Sequence, residues 1–249
     1  MSRTEHHGHF FTDPSYITDA AVVLRDANAH HLKVRRAKPG DRIHVGDGAG
    51  RLVEAEILTA GSAEVLARVV ESRTVERPST RLAVFQGIAK SGKVDWVVEK
   101  LVELGVDEVA VFAAGRSVPV WESAKGEVLR ARWERVALAA SKQSRRAWIP
   151  QVSGPLDPAE FLKRVKAVGS VLVADPSAHT SLGAFLADLG RPPEVGVVIG
   201  PEGGLTREEI EALVEAGATP VTLGSQILRT ETAGLALSAV VLHHLGRLG

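Results

Sequence analysis

Two glycine-bearing loops near the C-terminus concentrate the groups that can do chemistry. They run Ile199-Gly-Pro-Glu-Gly-Gly-Leu-Thr206 and Leu223-Gly-Ser-Gln-Ile-Leu-Arg-Thr-Glu-Thr-Ala-Gly234. Gly200, Gly203, Gly204 and Gly224 lack a Cβ, so backbone amides there can approach a ligand closely. Pro201 stiffens the first turn, and Glu202 sets a carboxylate in it. A helix that opens after Thr206 brings the positive end of its dipole nearby. Such a loop can cradle an adenosine or a carboxylate; it can equally be a tight strand-to-helix turn with an N-cap. In the second loop Arg229, Thr230, Glu231 and Thr232 stand at the mouth of an otherwise apolar helix (Ala233, Leu235, Ala236, Leu237, Ala239, Val240). A helix of that kind is buried, and polar groups at its start need partners. Either Thr230 or Thr232 caps it and Arg229 pairs with Glu231, or Arg229 and Glu231 face a substrate. Neither loop reads G-x-G-x-x-G or G-x-x-x-x-G-K-[ST], which excludes the ordinary dinucleotide and P-loop readings.

The elements that must position these loops are short and regular. Leu82–Gln86, Glu108–Phe112, Val171–Ala174, Val195–Ile199 and Thr219–Leu223 read as strands. Val94–Leu104, Glu122–Ser141, a stretch capped by Asp157, the face of Leu182, Phe185, Leu186 and Leu189, a stretch capped by Thr206, and Thr230–Leu245 read as helices. Asp157-Pro-Ala-Glu160 and Thr206-Arg-Glu-Glu209 both have the pattern of a capping box. Apolar strands alternating with helices mean an α/β fold with a parallel sheet covered on both faces. Two turns about 20 residues apart can lie side by side at the carboxyl edge of that sheet, where open α/β sheets bind ligands. The first 72 residues differ. They carry β-like runs at 20–24, 42–45, 51–58 and 64–70 without long helical periodicity, and predict a small β-barrel or sandwich. The polar, proline-bearing stretch 73–80 predicts a linker between domains at 1–72 and 81–249.

The 249 residues carry a net charge of +0 and no cysteine, which excludes a disulfide scaffold, a Cys-ligated zinc site and a thiol nucleophile. No apolar run reaches the roughly 18 residues of a membrane span, and the N-terminus is too polar for a secretory signal. The expectation is an intracellular, soluble protein. Positive charge is local. Arg25, His30, His31, Lys33, Arg35, Arg36, Lys38 and Arg42 form one cluster, and Lys142, Arg145 and Arg146 a second. Such patches engage nucleic-acid phosphates, or are simply solvated faces. His6, His7 and His9 read as a mobile N-terminal arm, and no metal is expected.

The GPEGG–LTREEI and LGSQILRTETAGLA segments resemble those of the 16S ribosomal RNA uridine-N3 methyltransferases, S-adenosylmethionine-dependent enzymes of the SPOUT class. The stretch from Gln86 to Gly105 is similar to that family's first strand, loop and helix. Residues 139–146 and 30–41 are similar to two further segments, although Lys142, Arg145 and Arg35 stand where Glu, Gly and Leu are usual. The resemblance implies a PUA-like β-barrel that grips RNA, followed by a SPOUT domain whose tail forms a deep trefoil knot. It implies S-adenosylmethionine held by three loops: Leu172 and Ala174 in the first, Ile199, Gly200, Pro201, Glu202, Gly203 and Gly204 in the second, and Leu223, Gly224, Ile227 and Leu228 in the third. It also implies a cytoplasmic homodimer acting on small-subunit ribosomal RNA, with each site drawing on both subunits. Arg229 is then the candidate cation beside uracil O2 or O4, and Glu231 or Glu202 the candidate base for the N3 proton. Lys90 and Lys93 would contact RNA phosphate or the opposite subunit's site. Two other readings remain: a SPOUT enzyme with another target, such as a transfer-RNA ribose 2′-hydroxyl, and an RNA-binding assembly factor without activity. The intact loop glycines argue against the last.

Overall fold

The computed structural model describes residues 6–88, 93–115 and 123–249. The chain divides into two compact units: residues 1–77 with 141–149, and residues 78–140 with 150–249.

The first unit is one five-stranded sheet in the order β1-β3-β4-β5-β2, with β1 at His6–Phe11, β2 at Ala21–Arg25, β3 at Arg42–Gly46, β4 at Arg51–Ala60 and β5 at Glu64–Thr74. β1 runs parallel to β3; the other pairs are antiparallel. Its buried face is built from Phe10, Leu24, Ile43, Val45, Ala55 and Ile57, among others. The short helix α1, Asp26–Val34, seats Ala29 and Leu32 on that core and exposes most of the rest.

Three features depart from the sequence reading. The histidine-rich N-terminus is a strand and not an arm, because β3 offers it a ladder and Phe10 and Phe11 a buried place. Strand β5 continues to Thr74, into the segment expected as linker. Residues 141–149 return to this unit: Trp148 Nε1 donates to the Val75 carbonyl at 2.8 Å, and the Arg77 guanidinium lies 4.3 Å from the Trp148 ring centroid.

The second unit is a six-stranded, wholly parallel sheet in the order β11-β9-β10-β6-β7-β8. The strands are β6 (Arg81–Gly87), β7 (Glu108–Phe112), β8 (Gln151–Leu156), β9 (Ser170–Ala174), β10 (Glu194–Ile199) and β11 (Ala218–Val221). The helices are α2 (Lys93–Leu104), α3 (Ser123–Gln143), α4 (Pro158–Val168), α5 (Leu182–Asp188), α6 (Arg207–Glu215) and α7 (Thr230–His244). β8 escaped the sequence reading because Gly154 and Pro155 interrupt its pattern.

One core layer joins residues of α2, α3, α5 and α7 to one face of the sheet; the other joins α4 and α6 to the opposite face. The amino edge is fixed by charge. Arg164 of α4 meets Glu108 at 2.6 Å and Glu194 at 3.0 Å. Arg247, just past α7, meets Asp107 at 2.6 Å and the Gly105 carbonyl at 2.7 Å. With that edge pinned, the carboxyl edge is left to the loops. Among the described residues no helix is long and apolar enough to cross a membrane.

Candidate active site

The loops that follow β9, β10 and β11 converge, with the start of α7 and with Lys93 of α2, around a cavity of about 470 Å³. Each loop holds its shape through its own polar side chains. Asp175 Oδ1 accepts from the Ser177 amide at 2.8 Å. In the second loop Thr206 and Glu209 exchange capping bonds, with Glu209 Oε2 accepting from the Thr206 amide at 2.7 Å. Glu209 Oε1 also accepts from the Gly115 amide at 2.7 Å. In the third, Thr222 Oγ1 accepts from the Gly224 amide at 3.2 Å, and Gly224 turns the chain with φ +115°.

Thr230 joins the loops to the sheet. It is buried, its Oγ1 donates to the Gly200 carbonyl at 2.6 Å, and the same oxygen accepts from Gln86 Nε2 at 2.9 Å. It therefore bolts α7 to the second loop and to the end of β6 instead of capping its own helix, whose N-cap, Arg229, makes no side-chain capping bond. The approach is close. A Cβ on Gly87 would lie 2.5 Å from the Pro201 nitrogen, so only glycine lets β6 and this loop touch.

The ionic arrangement is not the Arg229–Glu231 pair, one of the two alternatives that the sequence left open. Lys93 Nζ lies 3.4 Å from Glu202 and 3.4 Å from Glu231, so the lysine stands between the two candidate bases. Glu231 is the less exposed, at 16% against 32% for Glu202. Arg229 lines the cavity, exposed, and pairs with no carboxylate among the described residues. An apolar-walled hollow with backbone edges, an uncommitted cation and two carboxylates on a lysine can bind a nucleoside, stabilise a developing anion and accept a proton.

Of the residues expected to hold the cofactor, Ala174, Ile199, Gly200, Pro201, Glu202, Gly204, Leu223, Ile227 and Leu228 line this cavity. Leu172 does not. It is fully buried, two residues short of the end of β9, and belongs to the core. Gly203 and Gly224 also lie off the lining, Gly224 as the hinge of its turn. Lys90 lies outside the described residues. Sequence reasoning missed Thr230 as a bolt and Gln86 altogether; a polar residue closing an otherwise apolar strand was the available signal.

The basic residues gather in the first unit. Lys142 Nζ donates to Asn28 Oδ1 on α1 at 3.2 Å. His31 is held below its ordinary pKa by burial first, then by the charges of Arg35, Lys142 and His30. The two clusters, more than a hundred residues apart in sequence, are thus one surface, with His30, His31, Lys33, Arg35 and Arg36 exposed on it. Arg25 is partly neutralised by Glu64 at 2.8 Å, and Arg146 Nε is spent on the Trp148 carbonyl at 3.1 Å. Among the described residues no cluster suits a metal ion.

The chain carries the two domains of an RNA methyltransferase. The RNA methyltransferase domain family matches residues 76–242, and the RNA methyltransferase PUA domain matches residues 24–70. The chain belongs to the ribosomal RNA small subunit methyltransferase E family. It is 35% identical to the protein of that name from Mycobacterium bovis over 93% of this chain and 90% of the relative, and 33% identical to that of Bacillus subtilis over 85% and 86%. The structure of the Neisseria gonorrhoeae ribosomal RNA small subunit methyltransferase E bound to S-adenosyl methionine superposes with a TM-score of 0.83, at 28% identity, over 95% of this chain and 97% of that one.

Proposed function

We propose that this protein methylates N3 of a uridine in small-subunit ribosomal RNA with S-adenosylmethionine as donor. The methyl transfer to ribosomal RNA follows from the family; the base and atom are our reading. The observation that carries it is the cavity at the carboxyl edge, where Arg229, Lys93, Glu202 and Glu231 stand together over apolar walls.

The residues fit the cofactor. The hollow is lined by Ile199, Leu205, Leu223 and Leu228, and the glycine turns leave backbone groups at its rim, which suits an adenosine. Residues 174–176, 199–202, 204, 223 and 226–228 would hold it. When bound, it supplies an electrophilic methyl group. The chain's own residues must do the rest. Uracil N3 carries a proton at neutral pH; for a pKa about 2 units above the working pH, removing it costs about 2.7 kcal/mol. Glu231, on the rigid start of α7, accepts that proton. Lys93 keeps Glu231 and Glu202 in place, and Arg229 stabilises the uridinate at O2 or O4. Orientation supplies the larger share, since holding two reactants aligned can contribute roughly 7–11 kcal/mol.

In the same reading the tail is knotted and the enzyme is a cytoplasmic homodimer. The knot is supported by Thr230, bonded beneath the second loop, and by Thr222, whose backbone bonds to Thr180 at 2.9 Å and Leu182 at 3.1 Å. The dimer is supported by Trp96 of α2 and Val240 of α7, apolar yet exposed. RNA is gripped by the basic surface around α1. Incubation with small-subunit RNA and radiolabelled donor, followed by nucleoside mass spectrometry, should yield N3-methyluridine. Methyl on a ribose or on another base would overturn the assignment.

A further inference from the structure

A second hollow, of about 280 Å³, lies in the first unit. Its floor is a row drawn from four adjacent strands. His9 stands opposite His44, His44 opposite Glu54, and Glu54 opposite Glu71. Residues in register on neighbouring strands share a face, so two imidazoles and two carboxylates stand abreast. At about 4.8 Å per strand the row is roughly 14 Å long. That is the reach of a nucleotide and not of a point ion, and among the described residues no such cluster converges on a metal site. Arg73 and Arg145 also line the hollow, the latter held at φ 55°.

Two groups in it keep polar atoms without partners among the described residues. His9 is buried, at 8% exposure, and its Nε2 has no hydrogen-bond partner. Glu54 is engaged by Arg42 at 2.7 Å, whereas Glu71 makes no ion pair or hydrogen bond through its side chain among the described residues.

We propose that this hollow binds one unpaired guanine nucleotide of the RNA substrate. Guanine alone presents two adjacent donors, N1–H and the amino group, which fit the two oxygens of the Glu71 carboxylate. Adenine and cytosine set an acceptor beside their amino group, which a carboxylate repels, and uracil offers a single donor. Arg145 and Arg73 meet the phosphate, and the imidazole row supports the face of the base. His9 Nε2, with the ring neutral, gains its missing partner from the ligand or from a water it orders. The inference rests on RNA as substrate, but not on the uridine atom or on the cofactor cavity.

The test uses the full-length protein with ¹⁵N-labelled histidine, titrated with GMP, AMP, CMP, UMP and inorganic phosphate while the ring signals of His9 and His44 are followed. GMP should shift both saturably and bind about tenfold or more tighter than UMP, the usual worth of a bidentate pairing. Glu71→Gln should abolish that preference, and Arg145→Ala should weaken all nucleotides alike. Equal response to all four nucleotides, the same shifts with phosphate alone, or no shift at His9 overturns the proposal. Calorimetry with S-adenosylmethionine on the same samples separates the two readings. Normal cofactor uptake with no GMP response sinks this inference alone. GMP binding without cofactor uptake leaves it standing and sinks the proposed function.

Discussion

The hollow at the carboxyl edge of the parallel sheet is made of loops, whereas the hollow on the mixed sheet is made of strands. In the first, function is carried by backbone shape. Glycines let segments touch, buried threonine and glutamine bolt them together, and a few charged side chains stand at the mouth. In the second, the backbone is ordinary ladder, and what distinguishes the place is which side chains the register sets abreast. A loop site is written in consecutive residues. A ladder site is written one residue per strand and exists only once the sheet has formed. Substitutions should therefore act differently: in the loop site they disturb geometry or remove a charge at the reaction, and in the ladder site they disturb recognition and titration.

The largest effect is expected at Arg229. Its side chain makes no capping bond and no ion pair among the described residues, so its loss leaves the fold intact. Arg229→Ala should lower single-turnover methyl transfer by about 10²–10³-fold, the usual cost of one donor to a developing oxyanion, with an unchanged melting temperature. Wild-type turnover in that variant would remove Arg229 from the chemistry.

Gly87→Ala tests whether the loop site depends on close approach. The new Cβ meets backbone, not a flexible side chain, so the second loop must move. Overpacking of this kind costs about 1–3 kcal/mol, and it should appear both as lower stability and as weaker S-adenosylmethionine binding in calorimetry. A neutral result would mean that the loop is not held against β6. Lys93→Gln should act more narrowly. It removes the ammonium that stands 3.4 Å from both Glu202 and Glu231 and leaves a neutral side chain at the cavity, so kcat should fall by about tenfold, less than the roughly 10²–10⁴-fold of the acid–base group itself, while cofactor affinity holds. A change in cofactor affinity alone would reassign Lys93 to binding.

On the basic surface, Arg35→Glu with Arg36→Glu should weaken RNA binding and flatten its salt dependence by about two units of slope or more, one for each phosphate left without its arginine. Cofactor binding should not change. Unaltered RNA affinity would make the patch a solvated face.

How legible each region was follows from the same contrast. The strands of the parallel sheet, the capping boxes at Asp157 and Thr206 and the lining residues between Ile199 and Leu228 come in short local runs, and local chemistry announces them. α1 gave no such signal: Arg25 precedes it without a capping bond, and only Ala29 and Leu32 are buried. β1 becomes a strand because β3 pairs with it, a cause that lies more than 30 residues away. The union of Lys142 with α1 through Asn28, and the row from His9 to Glu71, are tertiary facts without a trace in local pattern. Lys93 between two carboxylates belongs with them, since its partners stand about 110 and 140 residues along the chain.

The last effect is confined to a window of pH, and it probes the ladder site through His9 in the absence of any ligand. Burial first, then the charges of His44, Arg145 and Lys142, lower its pKa from 6.5 to about 4, while a hydrogen bond to the Arg146 backbone pulls the other way. Between those two values the unfolded chain holds a proton on this ring and the folded chain does not. Stability must then fall as pH falls from 6.5 toward 4, and be independent of this group above that window. His9→Phe keeps an aromatic ring beside Phe11, which His9 meets edge-on at 4.8 Å, and removes the titration. Its melting temperature should therefore lose less than the wild type's across the same window, and the two curves should run parallel above pH 6.5. Curves that stay parallel down to pH 4 would mean that His9 takes its proton as readily in the fold as outside it. The ring would then be open to water, and the row beside it would be a charged surface without a buried anchor.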